Sequence, residues 1–254
     1  MRTKHLILFL AVIAILALAS CHSEKYNSEA ASSSKVVNVD TIPSTDRKAG
    51  TTETSEQVNA SEIDKCFVVT KVSDSLWSKM QTGSVVKRDD LRHIKVLHWD
   101  LDKKTHIGEL ICNRIIADTL VQIFKELYNA KYPIQRMVLP HLFGNDDEAQ
   151  MQANNTSCYC PRTVKGTKVM SKHARGLAVD LNPLYNPYYK SRKDGSTEVQ
   201  PSTATPYVNR SKEFSYKIDD NDLAYELFTS HGFRWGGDWK SCKDYQHFEW
   251  KGIQ

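Results

Sequence analysis

The sequence predicts an α+β fold with one folded domain over residues 63–254. Three observations carry that expectation. Leu91–Asp100 and His106–Cys112 are strand-like runs on either side of the polar turn Asp102-Lys103-Lys104, the pattern of a β-hairpin. Ile116, Leu120, Ile123, Phe124 and Leu127 then recur at three- and four-residue steps, which predicts an amphipathic helix over Asn113–Ala130. A second such stripe, Leu223, Ala224, Leu227 and Phe228, follows near the C-terminus.

Bulk properties narrow the class. The chain has 254 residues, 40% hydrophobic and 25% charged, as in a globular protein. Its formal net charge is +4 and no basic run or stripe stands out, so nucleic acid is not an expected partner. A mild attraction to acidic polymers such as bacterial wall is compatible with that charge. After residue 20 no stretch is apolar for long enough to span a bilayer.

The N-terminus reads as a targeting segment. Arg2 and Lys4 precede an apolar run from Leu6 to Leu18, followed by Leu18-Ala19-Ser20-Cys21. This resembles a bacterial lipoprotein signal over residues 1–20, with Cys21 as the lipidation site. Residues 21–62 are rich in Ser, Ala, Thr, Glu and Lys without apolar period and read as a disordered tether. The expected location is the cell envelope, anchored by lipid to a membrane and facing the periplasm or exterior. A monomer is expected. Of six cysteines, five remain after Cys21, an odd number, so at least one thiol lacks an internal partner. Cys158–Cys242 is the favoured pair.

Within the domain, structure is expected to begin at Cys66-Phe67-Val68-Val69. Ser73 or Asp74 caps a short helix carrying Leu76, Trp77 and Met80. In the hairpin Ile94, Val96 and His98 share a face, and His93, His98 and His106 read as cross-strand partners rather than ligands. Pro133 ends the long helix, and Ile134–Leu139 reads as a strand. Residues 140–170 read as an irregular lobe, in which Asn154, Asn155, Thr156 and Ser157 either satisfy loop backbone or touch substrate. Leu184–Thr205 reads as a long loop of the kind that is often functional. Asp219 or Asp220 starts the second helix, and His231-Gly232 ends it.

Two stretches carry the chemistry. Ser171–Pro183 holds His173 and Asp180, with Gly176 between them. Asp244-Tyr245-Gln246-His247-Phe248-Glu249-Trp250 supplies a second imidazole and two more acids. Two imidazoles and one carboxylate are the ligand set of a catalytic zinc site that keeps a position open. The seven-residue step from His173 to Asp180 would place them on opposite faces of a straight strand. A bend at Gly176 is required, or a loop histidine before a strand over Leu177–Leu181. His247 and Glu249 would share one strand face, with Phe248 and Trp250 toward the core. Asp244 is the favoured general base, and Glu249 is the alternative or a group that orients a ligand imidazole.

The pattern Ser-x-His-x-x-Gly-x-Ala-x-Asp, followed by Asp244-x-x-His247, resembles the D-alanyl-D-alanine carboxypeptidase family of zinc peptidases. It is most similar to the branch of L-alanyl-D-glutamate endopeptidases and phage endolysins. The similarity runs from about Asp90 to Trp250 and includes Asn154-Asn155-Thr156-Ser157, Asn182-Pro183, Asn186-Pro187-Tyr188 and Trp235-Gly236-Gly237-Asp238-Trp239. The resemblance implies a small α+β fold with a central antiparallel sheet flanked by helices. It implies His173, Asp180 and His247 as zinc ligands, Asp244 as base, and Arg162 as a substrate-binding group that stabilises an oxyanion. The chain departs from the pattern at Cys158, Cys160 and Lys172.

The expected function is a zinc-dependent hydrolase of peptidoglycan stem peptides, of the L-Ala-D-Glu endopeptidase type. A D-Ala-D-Ala carboxypeptidase and a silent zinc-containing wall-binding module are the alternatives. A site centred on Cys158 or Cys160 as nucleophile, or on Cys158, Cys160 and Cys242 as metal ligands, is a further reading to be tested by structure.

Overall fold

The computed structural model describes residues 62–83, 85–164 and 166–252. The expected signal segment, Cys21 and the tether up to residue 61 lie outside the described residues.

Strands and helices fall largely where the hydrophobic pattern places them. After β1 (Val68–Lys71), Ser73 caps α1 (Asp74–Trp77) by accepting the Leu76 N–H. Strands β2 (Leu91–Trp99) and β3 (Thr105–Asn113) form the hairpin, in full register from Leu91 opposite Asn113 to Trp99 opposite Thr105. Its turn is closed by Asp100, whose Oδ1 accepts from the N–H of Asp102 and of Lys104. His98 donates from Nδ1 to Ile134 O at 2.7 Å, His106 contacts Asp100 at 2.6 Å and His93 contacts Glu109 at 3.1 Å. All three histidines are therefore engaged locally.

The long helix α2 spans Ala117–Asn129, shorter at its start than the periodicity suggests. Asn113 is the cause. Its Oδ1 accepts from Ile115 N–H and its carbonyl from Ile116 N–H, which makes residues 113–116 a turn. Ile116, Leu120, Ile123, Phe124 and Leu127 are fully buried against Ile94, Val96 and Leu110 of the hairpin.

Four expectations need correction. Ile134–Leu139 is extended but forms no regular strand, only isolated bridges. Its backbone bonds are split between scattered backbone partners and asparagine side chains: Asn155 brackets Val138 at 2.9 and 3.0 Å, and Asn182 Oδ1 accepts from Gln135 N–H at 3.1 Å. The lobe after Gly144 contains helix α3 (Asp147–Gln152), capped by Asp146. The long loop is a hairpin, β5 (Tyr188–Ser191) with β6 (Thr197–Gln200), followed by a 3-10 turn at Ser202–Tyr207. Helix α4 (Leu223–Ser230) starts later than Asp219 or Asp220, because the cap is Asp222, which accepts the Ala224 N–H at 2.8 Å.

The fold is α+β and its sheets are antiparallel, but no single central sheet exists among the described residues. Three three-stranded sheets share the work: β1-β2-β3, β4-β9-β7 and β6-β5-β8. Here β4 is Ala178–Asp180, β7 Phe233–Trp235, β8 Lys243–Asp244 and β9 His247–Trp250. The strands of the last two sheets are too short to run on into one. The main core joins α2, α4 and the hairpin to the inner face of β4-β9-β7, where Phe248 stacks on Phe228 at 4.4 Å. Among the described residues no helix is long and apolar enough to cross a membrane.

All five described cysteines are free thiols, so the expected Cys158–Cys242 bridge is not formed. Cys158 lies in the core, whereas Cys242 is half-buried on the approach to β8.

Candidate functional site

The site is built where β4 and β9 pair. Their register sets Asp180 opposite His247 and Val179 opposite Phe248. Alternation then sends Val179 and Phe248 into the core and leaves Asp180, His247 and Glu249 on the other face. His173 is not on the strand. It opens a 3-10 turn, His173–Arg175, that ends at Gly176 in the left-handed region with φ 64°. This is the bend that the odd spacing demands. A Cβ at Gly176 would stand 2.7 Å from Asn113 N, so close backbone approach also reserves the position for glycine.

His173, Asp180 and His247 converge, all buried, with one ligand atom from each within 4.8 Å of the others. It is the only group of three or more metal-binding side chains so gathered among the described residues. His173 Nδ1 donates to Cys158 O at 2.7 Å, which leaves a lone pair on Nε2. His247 Nε2 faces Glu249 Oε2 at 3.3 Å, which leaves a lone pair on Nδ1. Those two nitrogens stand 3.0 Å apart. Asp180 closes the set, with Oδ2 3.2 Å from His173 and Oδ1 3.0 Å from His247. Two imidazole lone pairs and a carboxylate aimed at one point repel each other unless a cation lies among them. Ligand atoms about 2.0–2.1 Å from a tetrahedral zinc stand roughly 3.3 Å apart, close to the spacings found. The donor set therefore fits zinc.

The electrostatics agree. Burial alone would raise the Asp180 pKa, yet His173 and His247 hold its carboxyl well below the carboxylate range. Burial opposes charge on His247, but Asp180 and Glu249 hold its pKa high. The pair thus concentrates positive charge, as a proton or as a metal. Glu249 is itself paired with Arg234, which contacts it through both Nε and Nη2. Against its burial, His247 and Arg234 keep its pKa down at about 2.

Asp244 sits on β8, three residues before His247 and joined to it by the turn Tyr245-Gln246. It is half-buried as a residue, but its Oδ1 is enclosed without a hydrogen-bond partner. Burial pushes its pKa up to about 7, aided by the nearby Asp180 charge and opposed by His247 and Arg162. Gly236 makes this placement possible, because a Cβ there would lie 2.6 Å from Asp244 O and 3.2 Å from His247 Cβ.

A cleft of about 860 Å³ opens over these groups. His173, His247, Asp244, Glu249, Arg162 and Trp239 line it, with Trp239 tilted against His247 at a centroid distance of 5.3 Å. Arg162 is half-buried, and its Nε meets Asp147 Oδ2 at 2.7 Å. That contact ties Arg162 to the start of α3 while the guanidinium still borders the cleft.

Other candidates fall away. Asn154, Asn155, Thr156 and Ser157 are buried and do not line the cleft. Their side chains satisfy backbone, as when Asn154 Oδ1 accepts from Leu184 N–H at 2.9 Å. Cys158 and Cys160 are buried, and burial pushes the Cys160 thiol up to about 12 and the Cys158 thiol well above its usual value. Neither offers a thiolate near neutral pH, and no cysteine joins the metal-binding cluster. Three contributors were not foreseen: Asp147, Arg234 and the β5–β6 hairpin. Only the hairpin carries a sequence signal, Asp194-Gly195 between alternating strand-formers.

No solved structure matches the chain. Residues 165–250, the segment that carries His173, Asp180, Asp244 and His247, match the family model described as D-alanyl-D-alanine carboxypeptidase.

Proposed function

We propose that the protein is a zinc-dependent peptidase acting on peptidoglycan stem peptides, cutting an internal bond of the L-Ala-D-Glu type. The observation that carries the reading is the convergence of two imidazoles and one carboxylate in a cleft, with a second carboxyl beside them whose Oδ1 has no hydrogen-bond partner. The cleft volume, about 860 Å³, lies toward the upper end for ligand sites and leaves room for a peptide.

His173, Asp180 and His247 would hold the zinc, with Cys158 O and Glu249 fixing the two imidazole tautomers. Bound zinc supplies Lewis acidity toward a carbonyl and a nucleophile at neutral pH. Asp244, with a pKa near the working pH, takes a proton from the attacking water on its free Oδ1. It then returns that proton to the leaving amine nitrogen. Arg162 donates to the carbonyl oxygen as negative charge develops there. Asp147 holds Arg162 in place for that role. At the membrane, Cys21 would carry lipid and residues 22–62 would let the domain reach wall peptides.

The test is a digest of muropeptides by purified zinc-loaded protein, read by mass spectrometry. Release of the stem at an internal bond is expected, and loss of one terminal residue would favour the carboxypeptidase alternative. His247→Ala should lose both zinc and activity, whereas Asp244→Asn should keep zinc and lose turnover. Full activity in the Asp244 variant would overturn the base assignment. Bound zinc with no product from any muropeptide would leave the silent wall-binding module.

A further inference from the structure

The β5–β6 hairpin borders the cleft without a part in the chemistry described above. Residues two apart share a strand face, and Tyr188, Lys190, Arg192, Glu198 and Gln200 all line the cleft. In the register Tyr188 stands opposite Gln200 and Lys190 opposite Glu198, so one face of the hairpin is a wall of the cleft. On that wall Arg192 is held by Glu198 at 2.7 Å. Lys190 is exposed and has no ion pair among the described residues. Lys172 and Arg175, on the turn that carries His173, also line the cleft without an ion pair among the described residues. Arg162 is matched by Asp147, and Glu249 by Arg234. Three cations without an ion pair among the described residues thus border a site in which a divalent metal would offset the carboxylates of Asp180 and Asp244. Such a cleft favours an anionic peptide.

The pairing of β5 with β8 gives the distance scale. Tyr188 is opposite Asp244, and Lys190 lies two residues further along the strand. Two strand residues span about 7 Å, and an extended substrate advances by about the same amount in two residues. A side chain two residues from the bond beside Asp244 therefore comes opposite Lys190.

Resting on the peptidase reading, we propose that the hairpin is a specificity element, in which Lys190 binds a free carboxylate on the substrate about two residues from the bond cut. Lys172 and Arg175 add a favourable field from the turn before the first ligand. The cleft would then distinguish a peptide with a free side carboxylate from the same peptide with that group amidated.

The experiment compares this peptide pair. For the zinc-loaded full chain, kcat/KM should favour the free acid by about fivefold at low salt, the upper range for an exposed charge pair, and by less at high salt. Lys190→Gln should bring the ratio close to one, and Lys190→Arg should restore it. Equilibrium binding of both peptides to zinc-loaded Asp244→Asn protein provides a readout that needs no turnover. A binding preference that depends on Lys190, found without cleavage of either peptide, would sustain the subsite and sink the peptidase reading. No preference in the parent chain, an unchanged ratio in Lys190→Gln, or no binding of either peptide would overturn the proposal.

Discussion

Glu249 shows how much of the site depends on a residue outside the group His173, Asp180 and His247. One oxygen faces His247 Nε2 at 3.3 Å and the other is taken by Arg234. The sequence allowed Glu249 to be either base or orienting group, and the proposed orienting role is supported by its occupied oxygens, while Asp244 Oδ1 has no hydrogen-bond partner. Glu249→Gln keeps the shape but removes the charge that favours the Nε2–H tautomer. Zinc affinity should fall on the order of tenfold, read by competition with a chromophoric chelator, and unchanged affinity would return Glu249 to the list of bystanders. His98 makes a separate residue-scale prediction. It is 4% exposed, and burial lowers its pKa from 6.5 to about 4, with only partial relief from its bond to Ile134 O. The charged groups facing it are His106, stacked at 5.6 Å, and Asp100. Between pH 6.5 and about 4 the unfolded chain takes up a proton at this position that the folded chain refuses. The contribution of His98 to stability is thus fully present above pH 6.5 and is lost as the pH falls toward 4. Its size is about 3 kcal/mol. Urea unfolding of His98→Gln at pH 7 and at pH 4.5 should show a weaker loss on acidification than the parent chain, and an equal loss would refute the assignment.

At the scale of elements, what could be read in advance follows from pattern length. The β2–β3 hairpin and α2 were legible because nine- and thirteen-residue elements show their periods clearly. Helix α3 has six residues, too few to establish a stripe. Strands β5 and β6 carry Tyr, Lys, Ser, Thr and Glu, so their composition resembled a loop and only Asp194-Gly195 betrayed the turn. The extended run after Pro133 had the opposite fault. It looked like a strand, but Gln135 and Val138 bond to asparagine side chains while Ile134, Arg136 and Met137 bond to the backbone of three different segments, a mixture with no periodic signature. The convergence of His173, Asp180 and His247 was readable because residue types and spacings limit it, whereas Asp147 and Arg234 join the site through tertiary contacts far along the chain. Strand β9 ties core and site together: Phe248 is fully buried against Phe228 while its neighbours His247 and Glu249 face outward to the cluster. Phe248→Ala should cost about 3–5 kcal/mol of stability. It should also weaken zinc binding, since His247 loses the packing that fixes its strand. Denaturant unfolding with and without zinc separates the two effects, and a loss below about 1 kcal/mol would mean the core collapses around the gap.

For the whole molecule, the proposed anchor turns hydrolysis into a problem of reach. Cys21 would hold the chain at a membrane, and about 40 residues would separate that point from the folded domain. A chain of that length reaches at most roughly 130 Å when fully stretched. The proposed catalytic cluster lies within the domain, since His173, Asp180, Asp244 and His247 all come from β4, β8, β9 and the turn before β4. Anchor and tether should therefore govern which wall the site meets and leave its chemistry alone. Cys21→Ala should move the protein from the membrane to the soluble fraction, with zinc content and activity on soluble muropeptides unchanged. Deleting about 30 tether residues from the lipidated chain should likewise spare soluble muropeptides. The remaining segment would stretch to only roughly 35 Å, so release of peptides from intact wall in cells should fall. Equal release from intact wall by the shortened chain would show that the span is a passive spacer, and a Cys21→Ala protein that fractionates as before would remove the anchor itself.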